Sequence, residues 1–314
     1  MISLTDIENA RDRIAPHVRR TPVIAASGLQ APIPGVGDLW LKLELLQVTG
    51  SFKARGAMNK LLSLSAEQLA RGIVAASGGN HGIATARAGY LAKVPATIFL
   101  PTNASPSKIE KLKAWGADVR IIGAAWHESN VQALDFVEKT GAAYIHPFAD
   151  PLVAAGQGTV ALELLEQLPD VDTVLIAMGG GGLISGMATA LRALKPGVRI
   201  VGIEADGAPV LLRGIEAGHN VALDKVTTSV ATMACARTED TIFRIVADKV
   251  DEIVLVSDDE MRRAAEWLWF EMGLAADLSG AAAIAALQNG RIAVRSGEKI
   301  AAIVCGAGPD ALIG

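Results

Sequence analysis

One lysine, Lys53, lies in a setting where its amine could take part in chemistry. It falls in the segment LLQVTGSFKARGAMNK, residues 45–60, between a Thr-Gly-Ser turn and a run of small residues typical of a helix. Thr49 or Ser51 is expected to cap that helix, which places Lys53 in its first turn. The helix dipole is unfavourable for a positive charge there and lowers the pKa of the amine. Since a neutral amine can bond to a carbonyl carbon, we predict that Lys53 is a catalytic residue rather than a solvated surface lysine.

Four consecutive glycines form the clearest ligand-binding pattern in the chain. They are residues 179–182 of MGGGGLISGMATAL, which follow an apolar strand pattern and lead into a helix rich in small residues. The backbone N–H groups of such a loop, together with the helix N-terminus, favour an anion such as phosphate. No Lys-Ser/Thr pair follows, and the glycine spacing does not fit the dinucleotide fingerprint, so neither nucleotide motif applies. The alternative is a tight turn that only allows helix and sheet to pack closely.

Two further loops carry polar groups at the ends of predicted strands. In ASGGNHGIATARAG, Ser77, Asn80 and His81 stand where a strand gives way to a helix, and their polar groups could hold a carboxylate. His81 could equally be a structural residue that caps the helix. In VCGAGPD, Cys305 is either an inert buried residue or a weak hydrogen-bond partner for a ring nitrogen.

Short apolar runs alternate with helical patterns along nearly the whole chain. Most runs are apolar at successive positions, as expected for strands of a parallel sheet that is covered on both faces. This alternation predicts an α/β fold with open, twisted, mostly parallel sheets flanked by helices. Nine strands in 314 residues suggest two sheets, with the active site in the cleft between them. The predicted strands cover residues 39–44, 72–78, 95–101, 118–123, 142–148, 173–179, 199–205, 252–257 and 299–306.

The composition excludes several classes of protein. Hydrophobic residues make up 51% of the chain and charged residues 20%, which is typical of a globular protein. A net charge of −4 argues against a nucleic-acid partner, and no stretch reaches the roughly 18 apolar residues that a membrane span needs. The N-terminus lacks the apolar core of a secretory signal, and 2 cysteines are too few for a disulfide framework. We therefore expect a cytoplasmic protein that does not bind membranes.

The motifs occur together in an order that resembles a known family. The segments TGSFKARGA, SGGNHG, HPFADPLVAAGQGTVALELLEQ, GGGGLISG, SGAAAIAAL and CGAG follow one another over nearly the whole chain. They resemble the fold-type II pyridoxal-phosphate enzymes and, within them, the threonine/serine dehydratase and serine racemase family. The resemblance implies a tryptophan synthase beta-like fold with a large cofactor-binding domain, residues 1–73 and 149–314, and a small domain, residues 74–148. It also implies a homodimer that uses pyridoxal 5'-phosphate.

The resemblance further implies roles for individual residues. Lys53 would bond covalently to the cofactor and move the α-proton of the substrate. The cofactor would contact Phe52, Lys53, Asn80, Gly179, Gly180, Gly181, Gly182, Leu183 and Cys305. The substrate would contact Ser77, Gly78, Asn80, His81 and Gly82. Phe52 would pack on the cofactor ring, Asn80 would donate to its phenolic oxygen, and Cys305 would face its pyridine nitrogen as a neutral partner, which suits β-elimination better than transamination.

Three positions depart from the pattern of the family. Gly78 stands where its racemases carry a serine, so we predict weak racemisation or none. Glu204 and Ala208 are possible remnants of the family's divalent-cation site, but Val210 replaces its second carboxylate. The loss of a carboxylate makes a bound cation doubtful, and the cation dependence of activity tests this. Met233 stands where relatives usually have glycine, which predicts extra bulk near the active site.

The residues and the resemblance together predict an ammonia-lyase. It would convert a β-hydroxy-α-amino acid such as L-threonine or L-serine to a 2-keto acid and ammonia. One alternative is the same chemistry on an unusual substrate, such as phenylserine, hydroxyaspartate or a hydroxyectoine-derived compound, and another is a serine or aspartate racemase. The alternative outside the enzymes is a catalytically silent protein that binds the cofactor, against which Lys53 and the four glycines argue.

Overall fold

Alternating strands and helices build the whole of the described chain. The computed structural model describes residues 1–102, 104, 106–124 and 126–309. The strands in this part of the chain are β1 Val23–Ala25, β2 Asp38–Lys42, β3 Ile73–Ala76, β4 Ala96–Leu100, β5 Asp118–Ile121, β6 Ala143–Tyr144, β7 Thr173–Ala177, β8 Arg199–Ala205, β9 Glu252–Val256 and β10 Lys299–Ile303. The α-helices are α1 Leu4–Ile14, α2 Lys53–Leu62, α3 Ala66–Ala70, α4 Asn80–Ala92, α5 Pro106–Ala114, α6 Trp126–Thr140, α7 Pro151–Gln167, α8 Gly182–Leu194, α9 Val210–Ala217, α10 Asp240–Lys249, α11 Asp258–Met272 and α12 Leu278–Gln288.

The strands form two separate sheets. The larger sheet has the order β1-β2-β10-β7-β8-β9, and the smaller has the order β5-β4-β3-β6. Every neighbouring pair is parallel except β1 and β2, which are antiparallel. The predicted fold class is therefore confirmed, and each of the nine predicted strands is present. The strand that the sequence did not predict is β1, because it has only three residues and these are half-buried at a sheet edge.

Helix α2, which begins at Lys53, packs tightly against α7 and α4. The contact with α7 is close because glycines meet there: a Cβ at Gly156 would lie 2.7 Å from the Cα of Gly56. Only residues without a side chain allow two helices to approach so far. This contact fixes α2 relative to α7.

A buried network of charged side chains fixes the position of α2. Arg55 is almost fully buried and makes paired hydrogen bonds to both oxygens of Glu44 (2.8 and 2.7 Å) and of Glu163 (2.7 and 2.9 Å). Lys42 donates to Glu163 as well, at 2.7 Å. Two-pronged contacts of this kind fix the orientation of the guanidinium group. Because Arg55 lies two residues after Lys53, the network also positions the lysine.

Two further observations complete the fold. Among the helices of the described residues, none combines the length and the apolar character that crossing a bilayer requires. Asp310, at the end of the predicted loop VCGAGPD, and the last residues of the predicted large domain, 311–314, lie outside the described residues.

Candidate active site

Lys53 is the first residue of α2, and its amine points to the segment after β6. Its Nζ donates a hydrogen bond to the carbonyl oxygen of Pro147 (2.7 Å) and lies 4.9 Å from the ring centroid of Phe52. Removal from water lowers the pKa of this amine to about 8. The sequence argument attributed the lower pKa to the helix dipole, whereas desolvation is the main cause in the structure. Either way, a substantial neutral fraction is available near neutral pH.

The chain enters α2 without the predicted cap. Phe52 is the N-cap residue and has no side-chain cap hydrogen bond, so the prediction that Thr49 or Ser51 caps the helix is wrong. The reason is the backbone path: Ser51 is extended and pairs with Gly306, and Thr49 has a φ of 66°. A β-branched residue in this left-handed region is strained. The hydroxyls of both residues are buried without a hydrogen-bond partner in the described chain, so they are open to a ligand.

The glycine loop, residues 179–182, follows β7 and leads into α8. Gly181 has a φ of 84°, and α8 starts without a side-chain cap. In the part of the chain that the structure describes, the N–H groups of Gly182 and Leu183 have no acceptor. Thr238 fixes the loop from the other side by donating to the oxygen of Gly180 (2.8 Å). Free N–H groups at the N-terminus of a helix are the feature that binds phosphate.

Phe148 packs directly against the glycine loop. A Cβ at Gly180 would lie 2.3 Å from the ring of Phe148, and one at Gly182 would lie 2.9 Å from its Cα. The alternative interpretation of the loop as a packing device therefore also holds. Because Phe148 follows Pro147, one short segment contacts both the amine of Lys53 and the glycine loop.

Residues 77–79 lead into α4, whose first turn contains residues 80–82, and this segment contributes mainly backbone groups. His81 contacts the carbonyl oxygen of Ile145 through Nε2 (2.8 Å), so the proton must be on Nε2. Burial lowers the pKa of His81 to about 3, which keeps the imidazole neutral, and its Nδ1 has no partner in the described chain. A Cβ at Gly82 would lie 1.8 Å from the oxygen of Ser77, so only glycine fits there. The N–H groups at the start of α4, rather than the imidazole, are suited to a carboxylate.

Asp277 is a residue of the site that the sequence analysis missed. Its Oδ2 accepts from the amide of Asn80 (2.9 Å), and its Oδ1 accepts from the N–H of Gly280 (2.7 Å) and the hydroxyl of Ser279 (2.7 Å). The buried thiol of Cys305 is 3.8 Å from the same hydroxyl. Asp277 thus brings Asn80 and Cys305 together. An Asp before a helical Leu-Ser-Gly run is a capping signal that could have identified it.

Two of the positions that depart from the family pattern have clear structural consequences. A Cβ at Gly78 would lie 3.1 Å from Leu100, so a serine there would need the leucine to move slightly. Met233 is 1% exposed and belongs to the large hydrophobic core. A Cβ at Gly179 would lie 3.1 Å from the Cα of Met233, so this residue lies beside the glycine loop.

The oxygen atoms of the possible remnant of a cation site, those of Glu204 and Ala208, accept hydrogen bonds from backbone N–H groups. Both oxygens of Glu204 accept from N–H groups at the start of α9, those of Leu211 and Leu212, at 2.9 Å each. The carbonyl oxygen of Ala208 accepts from the N–H of Val210 (2.9 Å). Burial raises the pKa of Glu204 to about 7, which further weakens it as a ligand for a hard cation.

Comparison with known proteins places the chain in a family. The model of the pyridoxal-phosphate dependent enzyme family matches residues 14–306, and the chain belongs to this family. Over 310 residues it is 39% identical to the L-threonine ammonia-lyase of Thermotoga maritima, covering 99% of this chain and 76% of that protein. It is 36% identical to a catabolic L-threonine dehydratase of Staphylococcus aureus, over 99% of this chain and 90% of that protein. The structure of maize serine racemase superposes with a TM-score of 0.92 at 35% identity, covering 98% of this chain and 93% of that one.

The site fits the cofactor of the family. Pyridoxal 5'-phosphate carries a phosphate, an aldehyde and a polar aromatic ring. The free N–H groups at the start of α8 suit the phosphate, and the desolvated amine of Lys53 suits the aldehyde. The hydroxyls of Thr49 and Ser51 have no hydrogen-bond partner among the described residues, so they would be available for additional polar contacts.

Proposed function

We propose that the protein is a β-eliminating ammonia-lyase that converts L-threonine or L-serine to a 2-keto acid and ammonia. The observation that carries this proposal is the position of the Lys53 amine. This amine donates a hydrogen bond to the oxygen of Pro147, and the next residue, Phe148, packs on the glycine loop. A base and a phosphate site are thereby brought into one cleft. The names of relatives that are 34–39% identical over nearly the whole chain support the same reaction.

The residues that would hold the cofactor lie on four segments. The start of α8 would bind the phosphate, Lys53 would bond to the aldehyde carbon, and Phe52 would pack on the ring. Asn80 and Cys305 would contact polar atoms of the ring. Bound in this way, pyridoxal 5'-phosphate supplies an electron sink that makes the α-proton of an amino acid acidic.

Residues of the chain would carry out proton transfer and hold the substrate. Once the substrate amine has taken its place at the aldehyde carbon, the freed Lys53 would accept the α-proton at Nζ, and a pKa of about 8 leaves part of the amine neutral close to neutral pH. The N-terminal N–H groups of α4 hold the substrate carboxylate and fix the orientation of the Cα–H bond. The β-hydroxyl leaves as water, and hydrolysis of the released enamine gives the keto acid and ammonia.

Two other enzymatic functions are alternatives to this proposal: racemisation, and the same elimination on an unusual substrate. Gly78 has no hydroxyl that could transfer a proton on the opposite face of the substrate, which argues against a racemase. Met233 lies beside the glycine loop, and extra bulk there would disfavour a large substrate such as phenylserine.

A substrate panel tests the proposal. Purified protein loaded with cofactor is expected to release ammonia from L-threonine and L-serine. D-serine, hydroxyaspartate and phenylserine should react at least about tenfold more slowly, because D-serine would direct its α-hydrogen away from Lys53 and the other two carry a charged or larger β-substituent. Ammonia is measured over time for each compound. Activity confined to phenylserine or hydroxyaspartate would contradict the proposal.

We also propose that the protein is a cytoplasmic homodimer with the large and small domains expected from the sequence. Two unpaired cysteines, Cys235 and Cys305, support a reducing compartment. Trp269 and Phe270 at the end of α11 are 44% and 76% exposed, which supports self-association through that helix. Phe270→Glu should shift the mass measured by light scattering towards the monomer. A parent protein of monomeric mass would reject the dimer, and cell fractionation tests the location.

A further inference from the structure

The imidazole of His146 closes a short turn next to the site. This turn, residues 146–149, follows β6. The Nδ1 atom of His146 accepts hydrogen bonds from the N–H groups of Phe148 (3.2 Å) and Ala149 (2.9 Å). Accepting at Nδ1 requires the neutral tautomer with its proton on Nε2. The side chain therefore organises the backbone that comes directly after it.

Both ends of the cofactor site depend on this turn. The carbonyl oxygen of Pro147 receives the hydrogen bond from Lys53 Nζ (2.7 Å). The ring of Phe148 occupies the space that a Cβ at Gly180 would need. A change in the turn would move the lysine contact and the packing on the glycine loop together.

The surroundings of His146 keep it in the accepting form. Its ring contacts Phe148 edge-on, with centroids 4.6 Å apart, and Tyr144, at 5.9 Å. The charged groups that face it are Lys53 at the start of α2 and Asp150 before α7, and the neutral His81 faces it from α4. Burial, and then Lys53, lower the pKa of His146 to about 4, although Asp150 opposes this.

We propose that His146 is a positioning residue that, through the 146–149 turn, sets the Lys53 amine relative to the glycine loop and so determines the affinity for the cofactor. The inference rests on the proposed function in one respect, that pyridoxal 5'-phosphate is the ligand. It concerns cofactor binding and does not depend on which amino acid is the substrate.

A pair of amide variants tests the role of Nδ1. In His146→Asn, the side-chain oxygen lies as many bonds from Cβ as Nδ1 and can accept the two hydrogen bonds. In His146→Gln, the amide reaches the position of Nε2 instead. We expect the dissociation constant for pyridoxal 5'-phosphate to rise about tenfold to a hundredfold in His146→Gln, because two acceptor bonds are lost. In His146→Asn it should stay within about threefold of the parent.

The affinity is measured by titrating cofactor-free protein and following the absorbance of the bound cofactor. His219→Gln is the matched control, since the imidazole of His219 is on an exposed loop. Melting temperatures of the cofactor-free variants show whether each is folded. The proposal is overturned if His146→Gln binds as the parent does, or if His146→Asn is as weak as His146→Gln. A parent that binds the cofactor but releases no ammonia would reject the proposed function alone, and a parent that binds no cofactor would reject both.

Discussion

Replacing Lys53 with alanine is expected to lower ammonia release by about a thousandfold or more. Proton transfer by a positioned side chain contributes about 10²- to 10⁴-fold, and the covalent attachment of the cofactor is lost as well. Lys53→Arg should fail equally, because a guanidinium group stays protonated and cannot act as a base. The measurement is ammonia release from L-threonine by both variants at saturating cofactor.

The control for this prediction is Lys139→Ala, which removes a lysine that is 71% exposed and paired with Asp135. It should retain parental activity. The pH dependence adds a second check. Since the pKa of Lys53 is lowered to about 8, the neutral amine becomes the major form above that pH. Uptake of cofactor by the cofactor-free protein should therefore accelerate with rising pH and level off above about pH 8. Retention of more than about one percent of parental activity by Lys53→Ala would exclude it as the essential base.

Replacing Arg55 with methionine is expected to lower the free energy of unfolding by about 3–5 kcal/mol. The substitution leaves the buried carboxylates of Glu44 and Glu163 without the four hydrogen bonds that Arg55 donates to them. An uncompensated buried charge is costly, even where an intact ion pair adds little net stability. Urea unfolding followed by circular dichroism gives the value. Because the network lies behind α2, weaker cofactor binding should accompany the loss.

Arg71→Met provides the matched control, because Arg71 pairs with Glu67 on an exposed helix face with side chains 49% and 77% accessible. That substitution should cost no more than about 1 kcal/mol. Low pH should also reduce the free energy of unfolding of the parent protein. Burial raises the pKa of Glu163, but the hydrogen bonds and positive charges of Arg55 and Lys42 together outweigh this and lower it overall. The stability that ionised Glu163 contributes is present above the ordinary Glu pKa of about 4.3 and is lost as the pH falls below it. Equal costs for Arg55→Met and Arg71→Met would show that the network is not stabilising α2.

The sequence predicted the framework well because its signals are local. Strand β4 is buried on both faces, so its sequence ATIFL appears as a largely apolar run between Pro95 and Pro101. The strand that was missed is β1, whose three half-buried residues are too short a run to stand out. The glycine loop was recognisable for the same reason, since four glycines between a strand and a helix have few structural explanations.

Side-chain contacts between distant segments could not be predicted. Asn80 and Asp277 are 197 positions apart in the chain, and no periodicity connects them. The position of His81 depends on the oxygen of Ile145, 64 residues away. The predicted cap of α2 failed because Ser51 pairs with Gly306 from the opposite end of the chain. Local propensity identifies residues that can make a contact, whereas the tertiary fold decides which contact they make.

Gly82 has a consequence for how the substrate is recognised. Because the oxygen of Ser77 takes the space where a Cβ would be, residues 77–79 pack directly against the first turn of α4. If the substrate carboxylate binds there as proposed, no ordering of the backbone is needed, because the conformational entropy was already lost when the protein folded. The proposed recognition of the amino acid would therefore be preorganised.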